Sequence, residues 1–225
     1  MQQGADQIIL IDNGSSDESV QIALETSPKV KCLSRPQPWM QRRHYLAALR
    51  RYGILRLYEW LLIADLDEFW FVRNGESLAS YLRNVSPGFH LIYVNWTIFG
   101  SSGHETQPES LRRHFVMRQE RLGAHEVRKW VCRTRALRRG ARLSVHNVNK
   151  ICSSKVIYDN DNLKINHYMI QSREYFENTK MTRGDVMVPR LNDSRTWAYF
   201  ENIDRACTVE DHDIIEAVLD KKTSG

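Results

Sequence analysis

The chain has 225 residues, enough for one large domain or two small ones with a substantial core. At 42% hydrophobic and 26% charged it excludes wholesale disorder, and no run approaches the roughly 18 apolar residues of a membrane span. Its net charge of +5 leans toward anionic partners but falls far short of a histone-like excess.

In chain order, QIILID (Gln7 to Asp12) predicts a buried parallel strand. NGSSDE follows as a turn and helix start, with Ser15 and Glu18 at capping-box spacing, opening a helix from about Ser16 to Glu25. VKCL (Val30 to Leu33) is a short strand, RPQP a loop, and a long helix runs from about Trp39 to Arg51. The apolar run Tyr58 to Ala64 predicts a strand that ends in Asp65, Asp67 and Glu68, before aromatics resume at Phe69. Gly75 and Ser77 introduce a helix over Glu76 to Asn84, and Pro87-Gly88 turns into the strand FHLIYVNW, Phe89 to Trp96. This alternation predicts an α/β sheet covered on both faces.

The second half changes character. Residues 100 to 126 are rich in Gly, Ser, His and Arg and read as long loops. Lys129 to Leu137 alternates like an antiparallel strand, Asn162 to Tyr168 is another strand, and helices are expected over Ser172 to Met181 and Val209 to Leu219. A single domain over residues 1 to 225 is expected. The four cysteines form no CxxC pair, and the N-terminus lacks a signal-peptide apolar core, so reduced thiols and a cytoplasmic location are expected.

WLLIADLDEFW (Trp60 to Trp70) poses the central problem, because carboxylates beside apolar side chains are costly without a compensating partner. Were the strand to continue, Asp65 and Asp67 would share a face and Leu66 would turn into the core. Two oxygens at the C-terminal end of a strand suit a hard divalent cation that keeps water and phosphate as its other ligands. An Asp-rich turn capping the next element is the plainer reading. A phosphatase of the haloacid-dehalogenase type would want Thr or Val after the second Asp, and Glu68 stands there instead.

Taken in order, DQIILIDNGSSDES, WLLIADLDEFW, WTIFGSSGH and INHYMIQSREYF resemble a GT-A glycosyltransferase, more narrowly the family 2-like and family 92-like group. The resemblance implies a Rossmann-like, mostly parallel mixed sheet with helices on both faces, lacking the first strand. It also implies a nucleotide-binding half over about 1 to 98 and an acceptor half over about 99 to 225. The implied activity is inverting transfer of a hexose from a nucleotide sugar, a UDP-sugar above all, to a hydroxyl of a glycan or lipid-linked acceptor, as in polysaccharide biosynthesis.

By the same resemblance, Asp12, Asn13 and Gln41 contact the nucleotide. Asp65 holds the ribose, and Asp65, Asp67 and His167 hold Mn²⁺ or Mg²⁺. Gly100 and Ser101 lie beside the sugar. For the general base the nearby candidates are His104, Glu105, Glu109 and Glu68, with His104 favoured. Relatives carry an acid near Arg113, where this chain reads LRRHF. That departure, with the missing strand, keeps a non-catalytic or truncated nucleotide-sugar or glycan-binding module as the alternative.

Seven basic residues lie between Arg128 and Arg142, read as a solvated strand and turn, or as a patch steering an anionic donor, an acidic glycan or a membrane surface in peripheral association. No zinc pattern, RNP motif or helix-turn-helix supports a nucleic-acid partner.

Overall fold

The computed structural model describes residues 3–37, 40–122, 127–183 and 194–219. The strands are β1 (Ile8–Asp12), β2 (Val30–Ser34), β3 (Trp60–Leu62), β4 (Glu68–Val72), β5 (Leu91–Ile98), β6 (Met117–Gln119), β7 (Arg128–Arg133), β8 (Arg142–Leu143), β9 (Val148–Asn149), β10 (Val156–Tyr158), β11 (Leu163–His167) and β12 (Cys207–Glu210). The longer helices cover Ser19–Thr26, Gln41–Arg51, Leu78–Asn84 and Trp197–Ala206. The architecture is α/β with mixed parallel and antiparallel pairing. Of the described pairings, β1 with β2 and β5 with β11 are parallel and the others with a defined register are antiparallel, so the sheet is mixed.

Two compact units interleave along the sequence. The first comprises Met1–Ile63, Ser77–Tyr93 and Trp130–Ile157, and the second Ala64–Glu76, Val94–Lys129 and Tyr158–Gly225. β5 and β7 each contribute one end to each unit.

In the first unit β1 pairs in parallel with β2, Ile8 opposite Val30 through Asp12 opposite Ser34. No residue of β1 is buried, so the expectation of a buried strand fails; the two-stranded ribbon leaves its apolar side chains half covered. The helix Ser19–Thr26 also buries no residue. Its N-cap is Glu18 without a side-chain cap, and the backbone N–H of Ser19 instead donates to Asp17 Oδ1 at 3.1 Å, so the expected capping box is absent. Leu78–Asn84 is better fixed. The Ser77 hydroxyl accepts from Ser80 N at 3.1 Å, and Gln3 accepts from Leu78 N through its side chain and from Ala79 N through its carbonyl. Gly4 lies so close that a Cβ there would sit 2.6 Å from the Cβ of Ala79.

The core of this unit gathers Leu91, Tyr93, Trp130 and Cys132 with Leu49, Ile54 and Leu137. Fully buried Trp130 donates its indole N–H to the Ser144 carbonyl at 3.0 Å, which satisfies the ring's polar atom. β3 pairs antiparallel with β7, Trp60 opposite Arg133. The strand expected to reach Leu137 stops at Arg133, where Thr134 N donates to the Glu59 carbonyl and a short helix, Thr134–Arg138, begins. Arg133 is buried against Glu59 and the carbonyls of Phe89 and Val85.

The second unit is built on β5, whose LIYVNWTI is buried at seven of eight positions, as expected of a central strand. β11 runs parallel to it, with Ile165 opposite Trp96 and His167 opposite Ile98, and β4 runs antiparallel to β11. Phe99, Phe115 and Tyr168 form one buried aromatic cluster; Ile170, Phe176 and Phe200 form another. The helix expected over Val209 to Leu219 is corrected. Cys207–Glu210 is β12, paired antiparallel with β6, and the helix starts only at residue 213, with Ile215–Leu219 as a π-helical turn. The helix Trp197–Ala206 was not expected; the Thr196 hydroxyl caps it by accepting from Tyr199 N at 3.3 Å.

Candidate functional site

The acids of Asp65-Leu66-Asp67 lie in a turn, not on a continuing strand. β3 ends at Leu62, β4 begins at Glu68, and the Glu68 N–H donates to the Asp65 carbonyl at 3.1 Å. Leu66 is 83% exposed, so the expectation that it enters the core is overturned, and strand alternation does not set the directions of the two aspartates.

The compensating partners are lysines. Lys129 on β7 is fully buried; its Nζ lies 2.8 Å from Asp65 Oδ2 and 3.3 Å from Glu68 Oε1. Glu68 Oε2 in turn accepts from the Asp65 N–H at 3.1 Å, closing the turn on itself. Burial pushes the Glu68 carboxyl up, Lys129 pulls it down and Asp65 pushes it up again, and the outcome is about 8. The Glu68 carboxyl is thus far easier to protonate than an ordinary glutamate, and Lys129 is shared between it and Asp65. The Trp96 ring lies 5.9 Å from the same ammonium.

Asp67 has its own cation. Lys180 Nζ lies 2.6 Å from Asp67 Oδ2, and His167 Nε2 lies 3.6 Å from Oδ1. Burial raises the Asp67 carboxyl, but His167 and Lys180 outweigh it and hold the group well below the usual carboxylate range. The His167 ring packs on Trp96 with centroids 4.2 Å apart, and its Nδ1 is buried with no hydrogen bond among the described residues.

These groups gather where β5 and β11 end together. Phe99 N donates to the His167 carbonyl and Tyr168 N to the Asp67 carbonyl, both at 3.0 Å, so the acid turn and the loop from Phe99 adjoin the C-terminal ends of a parallel pair. Such ends are where ligands collect in α/β sheets.

Gly100 and Ser101, expected beside a sugar, are engaged otherwise. A Cβ on Gly100 would sit 2.7 Å from Asp204 Oδ1 and 2.9 Å from Cys207 Cβ. Buried Ser101 donates its N–H to Asp204 Oδ1 at 2.6 Å and accepts from Gly103 N. The glycine serves packing against the end of Trp197–Ala206. His104 is half-buried, and its Nε2 donates to the His114 carbonyl at 3.1 Å, which leaves the Nδ1 lone pair of the neutral ring as an acceptor. The Glu68 side chain has no exposed surface and is engaged by Lys129 and the Asp65 N–H.

Asp12, Asn13 and Gln41 belong to the first unit. Asp12 accepts from Gly14 N and Ser15 N at 3.2 and 2.9 Å, and Gly14 takes a φ of +97°, so the carboxylate ties its own turn. Asn13 donates to the Arg35 carbonyl at 3.0 Å and lies 3.3 Å from His44 Nδ1. Gln41 opens the helix Gln41–Arg51; the expected start at Trp39 lies outside the described residues.

As a home for Mn²⁺ or Mg²⁺ the donor set fits poorly. Asp65 Oδ2 and Asp67 Oδ2 each carry an ammonium, leaving Asp65 Oδ1 on one side and Asp67 Oδ1 facing His167 Nε2 on the other. Among the described residues no group of three or more His, Cys, Asp or Glu side chains is gathered to hold a metal ion. A dication there would meet the like charges of Lys129 and Lys180, each already seated on one oxygen of the two aspartates.

Sequence reasoning missed both lysines. Lys129 was placed in a basic, solvated stretch, although its neighbours Trp130, Val131 and Cys132 mark a strand interior. For Lys180, 113 residues from its partner, no local signal exists. No described helix is long and apolar enough to cross a membrane. Neither the protein-family models nor the curated proteins yield a match to this chain.

Proposed function

We propose that the chain is a GT-A-type glycosyltransferase that takes a nucleotide sugar, preferentially a UDP-sugar, as donor and a hydroxyl of a glycan or lipid-linked sugar as acceptor. The observation that supports this reading is the convergence of Asp65, Asp67, His167 and the Phe99–His104 loop at the C-terminal ends of the parallel β5–β11 pair.

In this reading the donor diphosphate lies at the acid turn. The acceptor oxygen forms a bond to the anomeric carbon as the bond from that carbon to the diphosphate oxygen breaks. The electron pair leaves with the nucleoside diphosphate, and the hydroxyl proton passes to His104 Nδ1. A single displacement of this kind inverts the anomeric configuration. Electrostatic stabilisation of the departing diphosphate is the larger contribution, and the base adds about 10²–10⁴-fold.

The test is UDP release from a panel of UDP-sugars. Turnover that His104→Ala lowers by about 10²–10⁴-fold without loss of donor binding supports the assignment; a folded protein that neither binds nor cleaves any donor contradicts it. The engagement of Gly100 and Ser101 with Asp204 favours a second reading, a nucleotide-sugar-binding module without turnover. Calorimetric binding with no UDP release would select it.

A further inference from the structure

We infer that the cation facing the donor's diphosphate is Lys180 of this chain rather than a divalent metal ion, an inference that rests on the nucleotide-sugar reading above. The two lysines at the acid turn differ in what they can reach. Lys129 has no exposed side-chain surface and sits between Asp65 and Glu68, so it holds the turn and touches no ligand.

Lys180 is 15% exposed beside Asp67 at 16%, so this pair opens to solvent. An ammonium carries three N–H donors; Asp67 Oδ2 takes one at 2.6 Å, and a phosphate oxygen can accept another. The residue is the last of the π-helical turn Phe176–Lys180, a helix form that recurs at functional sites. The Tyr175 ring lies 5.9 Å from Nζ and flanks the cation.

That turn is anchored, so the ammonium is placed rather than free. The Ser172 hydroxyl accepts from Tyr175 N at 3.1 Å and lies 2.8 Å from Gln107 Oε1, while Phe176 is fully buried. Asp67, flanked by His167 on its other oxygen, becomes the positioning residue for Lys180, orienting it toward the site through one hydrogen bond.

The experiment is calorimetric titration of UDP and of uridine into the full chain, first with a chelator and then with excess Mn²⁺. The expected result is UDP binding that changes less than about threefold between the two conditions. Lys180→Met should weaken UDP by about tenfold or more, the loss of one charge-assisted hydrogen bond, and leave uridine unchanged, with Lys180→Arg recovering part of the loss. UDP binding that appears only with Mn²⁺ overturns the role of Lys180 and leaves the glycosyltransferase reading standing. Failure of the unmodified chain to bind UDP in either condition overturns that reading and this inference with it.

Discussion

Two turns of this protein set aspartates at the end of a strand or just past it, and they satisfy them in opposite ways. At the last position of β1, Asp12 accepts hydrogen bonds from the backbone of Gly14 and Ser15, two and three residues on. After β3, Asp65 and Asp67 are met by Lys129 and Lys180, 64 and 113 residues away. The first arrangement forms from local chain alone and shapes a loop. The second exists only once β7 and the turn Phe176–Lys180 are in place, and Lys129 is taken fully out of water to make it. Desolvating an ammonium costs several kcal/mol. That expense sets the two turns apart: the first is held by its own neighbours, the second by the tertiary fold.

The sharpest way to break the contrast is Lys129→Met, which leaves the Asp65–Glu68 turn without its buried cation. A loss of about 3–5 kcal/mol in unfolding free energy is expected from urea denaturation. A loss under 1 kcal/mol would mean that the turn does not depend on the pair.

Next is Glu68. Its folded-state value of about 8 exceeds the ordinary 4.5, so the folded chain holds more protons than the unfolded one between those values. Stability should therefore fall as pH rises through that window. Asp67 acts in the opposite direction, because its lowered carboxyl contributes stability above about pH 4 that is lost on acidification. Glu68→Gln should flatten the decline between pH 5 and 8 and leave the acid limb intact; an unchanged slope would place the titration elsewhere.

Lys180→Met leaves the mostly buried Asp67 with His167 alone against it, and a loss of about 1.5–3 kcal/mol is expected, that of a hydrogen bond to a charged group. Asp12→Ala should cost the least, about 0.5–1 kcal/mol, the magnitude of a lost side-chain cap. Equal effects for Asp12→Ala and Lys129→Met by thermal or urea unfolding would erase the distinction between the turns.

Much of the scaffold could be read directly, where local pattern and tertiary burial agree. β2, β5 and β11 and the helices Gln41–Arg51 and Leu78–Asn84 fall close to their expected places. The errors cluster where tertiary partners decide. Val209 was assigned to a helix until β6 is seen to pair with Cys207–Glu210, and the run through Ala64 looks like strand although the Asp65 carbonyl closes a turn with Glu68. At the site, the meeting of Asp67 and His167 is legible in the sequence, while nothing local foretells that Asp204 engages the Gly100–Ser101 stretch. The acids among apolar neighbours are visible in the sequence; the lysines that meet them are not, because the fold decides which distant residues arrive there.

The most direct test is a crystal structure grown with UDP and Mn²⁺, with anomalous data collected at the manganese edge. The account predicts a β-phosphate oxygen within hydrogen-bond reach of Lys180 Nζ and no anomalous peak between Asp67 and His167. A manganese peak bridging those two side chains and the diphosphate, with Lys180 displaced from Asp67, would contradict it.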